Sequence, residues 1–143
     1  MPDGSIFARI HVLVICDEIE ELPDAEDLIT LSGVRTQIQA PSFPYVHPLL
    51  CIYLQVTGHQ GTASGHLLVV NEATDEDILH VPIEDFQLTG PLEIVPIWLR
   101  IRDCEFPQPG VYWFQVYLNE KLVQERRFRL VTSPRGGNGQ PTR

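Results

Sequence analysis

The residues best suited to chemistry in this chain are concentrated in two acidic runs. Asp17, Glu18, Glu20, Glu21, Asp24, Glu26 and Asp27 crowd one loop, and Asp75-Glu76-Asp77 form another. Carboxylate oxygens gathered on loops are hard ligands of the kind calcium takes. The alternating Asp spacing with a loop glycine that calcium loops use is absent, so a solvated acidic face is the expectation. The softer ligands are His47, His59, His66 and His80 with Cys51 and Cys104. No close Cys–Cys or His–His pair stands among them, so a zinc site requires the strands to bring ligands together. No cofactor is expected. Ser64 lies near His66 in a glycine-rich stretch, without a Gly-x-Ser-x-Gly elbow or an orienting acid. The stretch Gly58–Gly65 also lacks the lysine and following helix of a phosphate loop. With no assembled catalytic set, the chain is expected not to be an enzyme.

Two other groups suit binding. Arg100 and Arg102, if set on strands beside Arg127 and Arg129, form a basic patch with Trp98 and Trp113 close by. Guanidinium groups so arranged recognise carboxylates, on a partner or on a second copy of the chain. Phe43 and Tyr45, with Val46, ride a proline-stiffened stretch from Pro41 to Pro48 and offer rigid apolar anchors. The same aromatics serve equally well tucked over one end of the core.

At 143 residues the chain is long enough for one domain with a real core. Its net charge is −9, which opposes nucleic-acid binding because phosphate attraction dominates that affinity. Residues 1–99 hold fifteen acids and two bases, whereas residues 100–143 hold four acids and eight bases. No apolar run reaches the roughly 18 residues of a membrane helix. Three cysteines, Cys16, Cys51 and Cys104, cannot complete a disulfide framework, which agrees with a cytoplasmic setting.

The elements that must position these groups are strands. Gly110–Val131 is a hairpin: Tyr112, Phe114, Val116 and Leu118 share one face, and Asn119-Glu120-Lys121 break the arms. Placing Leu118 opposite Leu122 sets Tyr112 against Phe128 and Phe114 against Arg126, with Arg127 and Arg129 facing outward. Ile6–Cys16 presents Ile6, Ala8, Ile10, Val12 and Val14 to the core. Strands are also expected over 28–39, 49–57, 66–71, 78–88 and 92–102, with Gly33 marking a bend and Pro82 an edge or bulge. Gly58–Gly65 and Thr89–Pro91 read as turns. Residues 133–143 read as a disordered polar tail beyond a domain spanning 1–132.

About eight strands without a helix predict an all-β fold, a two-sheet antiparallel sandwich with Greek-key connections. The Phe7–Asp17 strand ending in Cys16-Asp17, the segment Leu31-Ser-Gly-Val-Arg-Thr36 and the hairpin start Gly110-Val-Tyr-Trp-Phe114 together resemble an uncharacterised bacterial family of small β-sandwich domains. That resemblance covers nearly all of the folded part and implies no activity, cofactor or site residue. The hairpin start is also similar to strands of immunoglobulin-like and C2-like modules. The function expected is a protein-interaction or accessory module, binding a protein partner or self-associating as a homo-oligomer. The alternative is a small-ligand-binding sandwich for calcium, carbohydrate or a lipid headgroup.

Overall fold

The computed structural model describes residues 8–25 and 28–133. The tail from 134 onward, the polar lead-in Met1–Ser5, the first two residues of the expected opening strand, and the acids Glu26 and Asp27 lie outside that span. Within it the chain is all β. Seven strands form: β1 (Ala8–Glu21), β2 (Ile29–Val34), β3 (Gln37–Ala40), β4 (Tyr45–Asn71), β5 (Asp77–Phe106), β6 (Gly110–Leu118) and β7 (Lys121–Thr132). They hydrogen-bond as one sheet in the order β2-β1-β4-β6-β7-β3, with β5 paired to β4 alone.

Seven strands replace the expected eight: two expected turns are continuous backbone, which merges four expected strands into two, while the strand expected over 28–39 divides at Arg35 and Thr36 into β2 and β3. Gly58–Gly65 stays in β4, and Thr89–Pro91 stays in β5, since the β4–β5 hairpin keeps pairing past both. Register shifts at Gly58 and Gly61 absorb the bend instead of ending the strand. Pro91–Ile94 have no counterpart on β4 beyond Thr57, because Val95 pairs with Val56 and Gly90 with Gly58. Gly65 is required by close packing: a Cβ there would stand 2.0 Å from the Tyr117 carbonyl oxygen.

One strand pair is not antiparallel. β3 runs parallel to β7, Ile38 beside Leu130, so the sheet is mixed. The sheet also curls on itself. Ile10, Leu13 and Ile15 of β1 share one buried cluster with Phe114 of β6, Phe128 and Leu130 of β7, and Ile38 of β3. At one end Tyr112 is fully buried and donates its hydroxyl hydrogen to the Gln108 carbonyl at 2.6 Å.

The hairpin of β6 and β7 has the expected partners, Tyr112 opposite Phe128 and Phe114 opposite Arg126. Its turn is tighter than expected. Asn119 and Glu120 both take positive φ, 50° and 70°, the conformation of a two-residue type I′ connection. Leu118 therefore faces Lys121, and skipping Val123 restores the register by Gln124.

β1 differs from expectation on two counts. Ile10 pairs with Val56 but Val12 with Gln55, so His11 is an extra residue and the strand changes face there. Leu13 and Ile15 enter the main core, whereas Val12 and Val14 pack against a second cluster of Cys16, Ile19, Cys51 and Tyr53. The strand also runs on through the acidic stretch to Glu21, paired with β2, because Ile19 is buried while Glu18 and Glu20 point to solvent.

Candidate functional site

β5 is the longest strand, and its other edge carries no neighbour among the described strands. Pro82 and Pro96 sit within it, which suits an edge: proline cannot donate to a ladder and is confined to edges, strand starts and bulges. Because the β4–β5 hairpin bends near Gly90, the two halves of β5 flank a groove of about 460 Å3, lined by residues 82–86 and 96–100. One wall carries the exposed carboxylates Glu84 and Asp85, and the other carries Arg100. Phe86, Ile97 and Trp98, all partly buried, supply the apolar surface between them. At the bend Leu92 is 94% exposed and Ile94 57%.

A second, smaller pocket of about 250 Å3 lies where the irregularities of β1 and β4 meet. It is lined by Arg9, His11, Thr57, Gly58, His59 and Pro91. The His11 bulge aims the imidazole across to the nearly buried Thr57, Nε2 standing 2.7 Å from Oγ1 in a hydrogen bond. A hydroxyl held by an imidazole is a possible nucleophile–base couple, but among the described residues no carboxylate orients His11.

The basic residues are divided. β5 and β7 are separated in the sheet by β4 and β6, so Arg100 and Arg102 do not stand beside Arg127 and Arg129. The expected single patch is corrected: it assumed adjacent strands. Arg100 donates to the Ile19 carbonyl at 2.9 Å and shares a shallow pocket with Arg102, Glu18 and Glu20. Arg127 lies over the Trp113 ring, 5.4 Å from its centroid, while the indole N–H donates to Glu72 at 2.8 Å. Arg129 is exposed opposite Val111. Phe43 and Tyr45 pack against the main core, and the Tyr45 hydroxyl hydrogen-bonds buried His47 at 3.1 Å. They close one end of the fold.

The acids are also partly committed. Asp17 and Arg35 form a two-point ion pair, with Arg35 Nη2 3.2 Å from Oδ2, and Gly33 at φ 69° leaves room for that carboxylate. Among the described residues, no three His, Cys, Asp or Glu side chains gather to hold a metal. Ser64 is tied to the hairpin turn through Asn119, its N–H donating to Oδ1 at 3.0 Å. The thiols are buried. Burial pushes Cys16 up to about 11 and Cys104 up to about 12, and also raises Cys51. No described helix is long and apolar enough to cross a membrane.

The β5 groove was announced in the sequence by its prolines alone; its walls depend on a bend that no motif marks. The His11–Thr57 contact had no sequence signal, since it exists through a one-residue bulge.

Comparison with known proteins decides the family. The model of a family of unknown function, DUF6941, matches residues 11–131. The chain belongs to this family. DUF6941 therefore supplies the uncharacterised family that the strand end, the bend and the hairpin start suggested. No curated protein matches the sequence. Among solved structures, the DUF6941 chain is similar to the Pseudomonas fluorescens alkylpurine DNA glycosylase AlkC, bound to DNA containing an abasic site analogue. The TM-score is 0.54 at 13% identity, over 87% of this chain and 30% of that one. A β-glucosidase from Listeria innocua in complex with isofagomine follows with a TM-score of 0.47 at 8% identity, over 84% of this chain and 16% of that one. The DUF6941 chain thus spans less than a third of either enzyme. The expectation that it is not an enzyme is corrected here, because the glycosylase carries a similar fold within an enzyme. At these identities the likeness is one of fold and assigns no chemistry.

Proposed function

We propose that the chain is a protein-interaction module that takes up an extended segment of a partner protein along the open edge of β5. The observation that carries this reading is the groove between the two halves of that strand. An unpaired edge offers backbone donors and acceptors to an added strand, and side-chain pockets beside it give specificity. Glu84 and Asp85 facing Arg100 across an apolar floor suit a segment carrying both charges around an apolar residue. The wall charges and the prolines at 82 and 96 also discourage indiscriminate strand addition.

The finer architecture in this reading is a two-layer sandwich of immunoglobulin-like kind. Support comes from the curled sheet and from the Tyr112–Gln108 bond, which has the form of the tyrosine corner of such folds. The glycosylase in the comparison was bound to DNA; a charge of −9 supports a protein partner for this chain instead. The small-ligand alternative has less support, since Arg127 covers Trp113 and Arg35 engages Asp17.

Selection of random extended peptides against the immobilised full chain tests the proposal. Peptides recovered should bind in the micromolar range and lose at least tenfold in affinity against Asp85→Arg and against Arg100→Glu, with both variants melting like the parent. Failure to recover a saturable binder, or binders indifferent to both substitutions, overturns it. Dimerisation in sedimentation that the same substitutions abolish would assign the groove to a second copy.

A further inference from the structure

The strands bring together two of the histidines that sequence leaves scattered. His66 on β4 and His80 on β5 are diagonal neighbours, because His66 pairs with Pro82 and Leu68 with His80. Both alternate with core residues, Leu67 and Val69 on β4 and Leu79 and Val81 on β5, so they share the outer face of the hairpin. Their ring centroids are 4.7 Å apart with the planes tilted by 35°. Tyr117, opposite His66 on β6, stacks on it at 4.8 Å and 12°, which restrains the ring.

We propose that His66 and His80 form a two-imidazole site for a borderline divalent cation of the copper(II), nickel(II) or zinc class, with water in the remaining positions. The spacing fits. With metal–nitrogen bonds near 2.0–2.1 Å and each nitrogen about 1.1 Å from its ring centre, two ligands at 90–109° around one ion place their centroids about 4.5–5.1 Å apart. The separation of 4.7 Å lies inside that interval.

The nitrogens are also available. Among the described residues neither ring has a hydrogen-bond partner, whereas His47 is bonded to Tyr45 and His11 to Thr57. Imidazole nitrogen suits these ions, and copper(II) binds most tightly in the usual order of affinities. No third His, Cys, Asp or Glu completes the set among the described residues, which limits affinity to that of two ligands and leaves sites open for exchangeable water.

The competing account is a stacked row of three rings with no ion, in which Tyr117, His66 and His80 merely cover the sheet. The two are separated by titrating copper(II), nickel(II) and zinc into the untagged full chain by calorimetry, with electron paramagnetic resonance of the copper form. The expected result is one equivalent bound in the micromolar range, with nitrogen splitting from two imidazoles. His66→Ala and His80→Ala should each weaken binding at least tenfold and remove one nitrogen from the spectrum, while Tyr117→Phe leaves the stoichiometry unchanged. Melting curves without metal establish that each variant is folded. Absence of saturable binding, or weak uptake of several ions that neither alanine variant alters (an adventitious ion only), overturns the proposal.

Discussion

Tyr112 is fully buried, and its hydroxyl donates to the Gln108 carbonyl at 2.6 Å while accepting from the Gln108 N–H at 3.3 Å. Tyr112→Phe keeps the ring and strands that acceptor, so stability should fall by about 1–2 kcal/mol in chemical denaturation, with an unchanged denaturant slope. The three thiols are enclosed too. At pH 8 a maleimide or disulfide reagent should leave Cys16, Cys51 and Cys104 unmodified in the native chain and label all three after denaturation, because the thiolate is the reactive form. These groups also set the edges of the stability profile. A thiol pushed up from 9.0 holds its proton in the folded state while the unfolded chain loses it, so stability should decline as pH rises from about 9 through about 11 for Cys16 and about 12 for Cys104. His47 has the opposite sign. Burial lowers it, so the unfolded chain gains a proton first, and stability should decline as pH falls below 6.5. Thermal melts from pH 5 to 10 check both limbs.

At the scale of elements, what could be read in the sequence was what repeats with a period of two. The β6–β7 partners were legible because Tyr112, Phe114, Phe128 and Leu130 form an unbroken alternation that fixes the register. β1 was legible up to Ile10 and misread beyond it, since an extra residue at His11 inverts every later side chain and leaves no compositional mark. The glycine-rich stretch 58–65 and the Thr89–Pro91 segment were read as chain reversals, yet a long hairpin tolerates them as bulges when its partner strand continues. The candidate groove inherits that difficulty: Asp85 and Arg100 face each other through the bend of β5, a tertiary fact, and the scattered histidines likewise meet only across paired strands. Gly65 gives a sharp test of the same reasoning. Gly65→Ala places a methyl against the Tyr117 carbonyl, so the β4–β6 seam must separate, and stability should drop by more than about 2 kcal/mol. Gly90→Ala meets no atom, and its smaller loss should come from backbone strain at φ 137° alone.

For the whole molecule, the unusual member of the sheet is the parallel pair of β3 and β7, which joins residues near 38 to residues near 130. Every other pairing on that side of the sheet links β4, β6 and β7 through sequential or near neighbours, so those strands can associate as they are made. β3 cannot. Until β7 has been synthesised, Ile38 and Ala40 have no partner for their half-strand, and the early chain carries their apolar side chains exposed. Assembly on the ribosome should therefore finish in one late step in which an early segment is captured by the last described strand. A nascent chain stalled before β7 is expected to be protease-sensitive throughout the region of β3, and release past Thr132 should protect it at once.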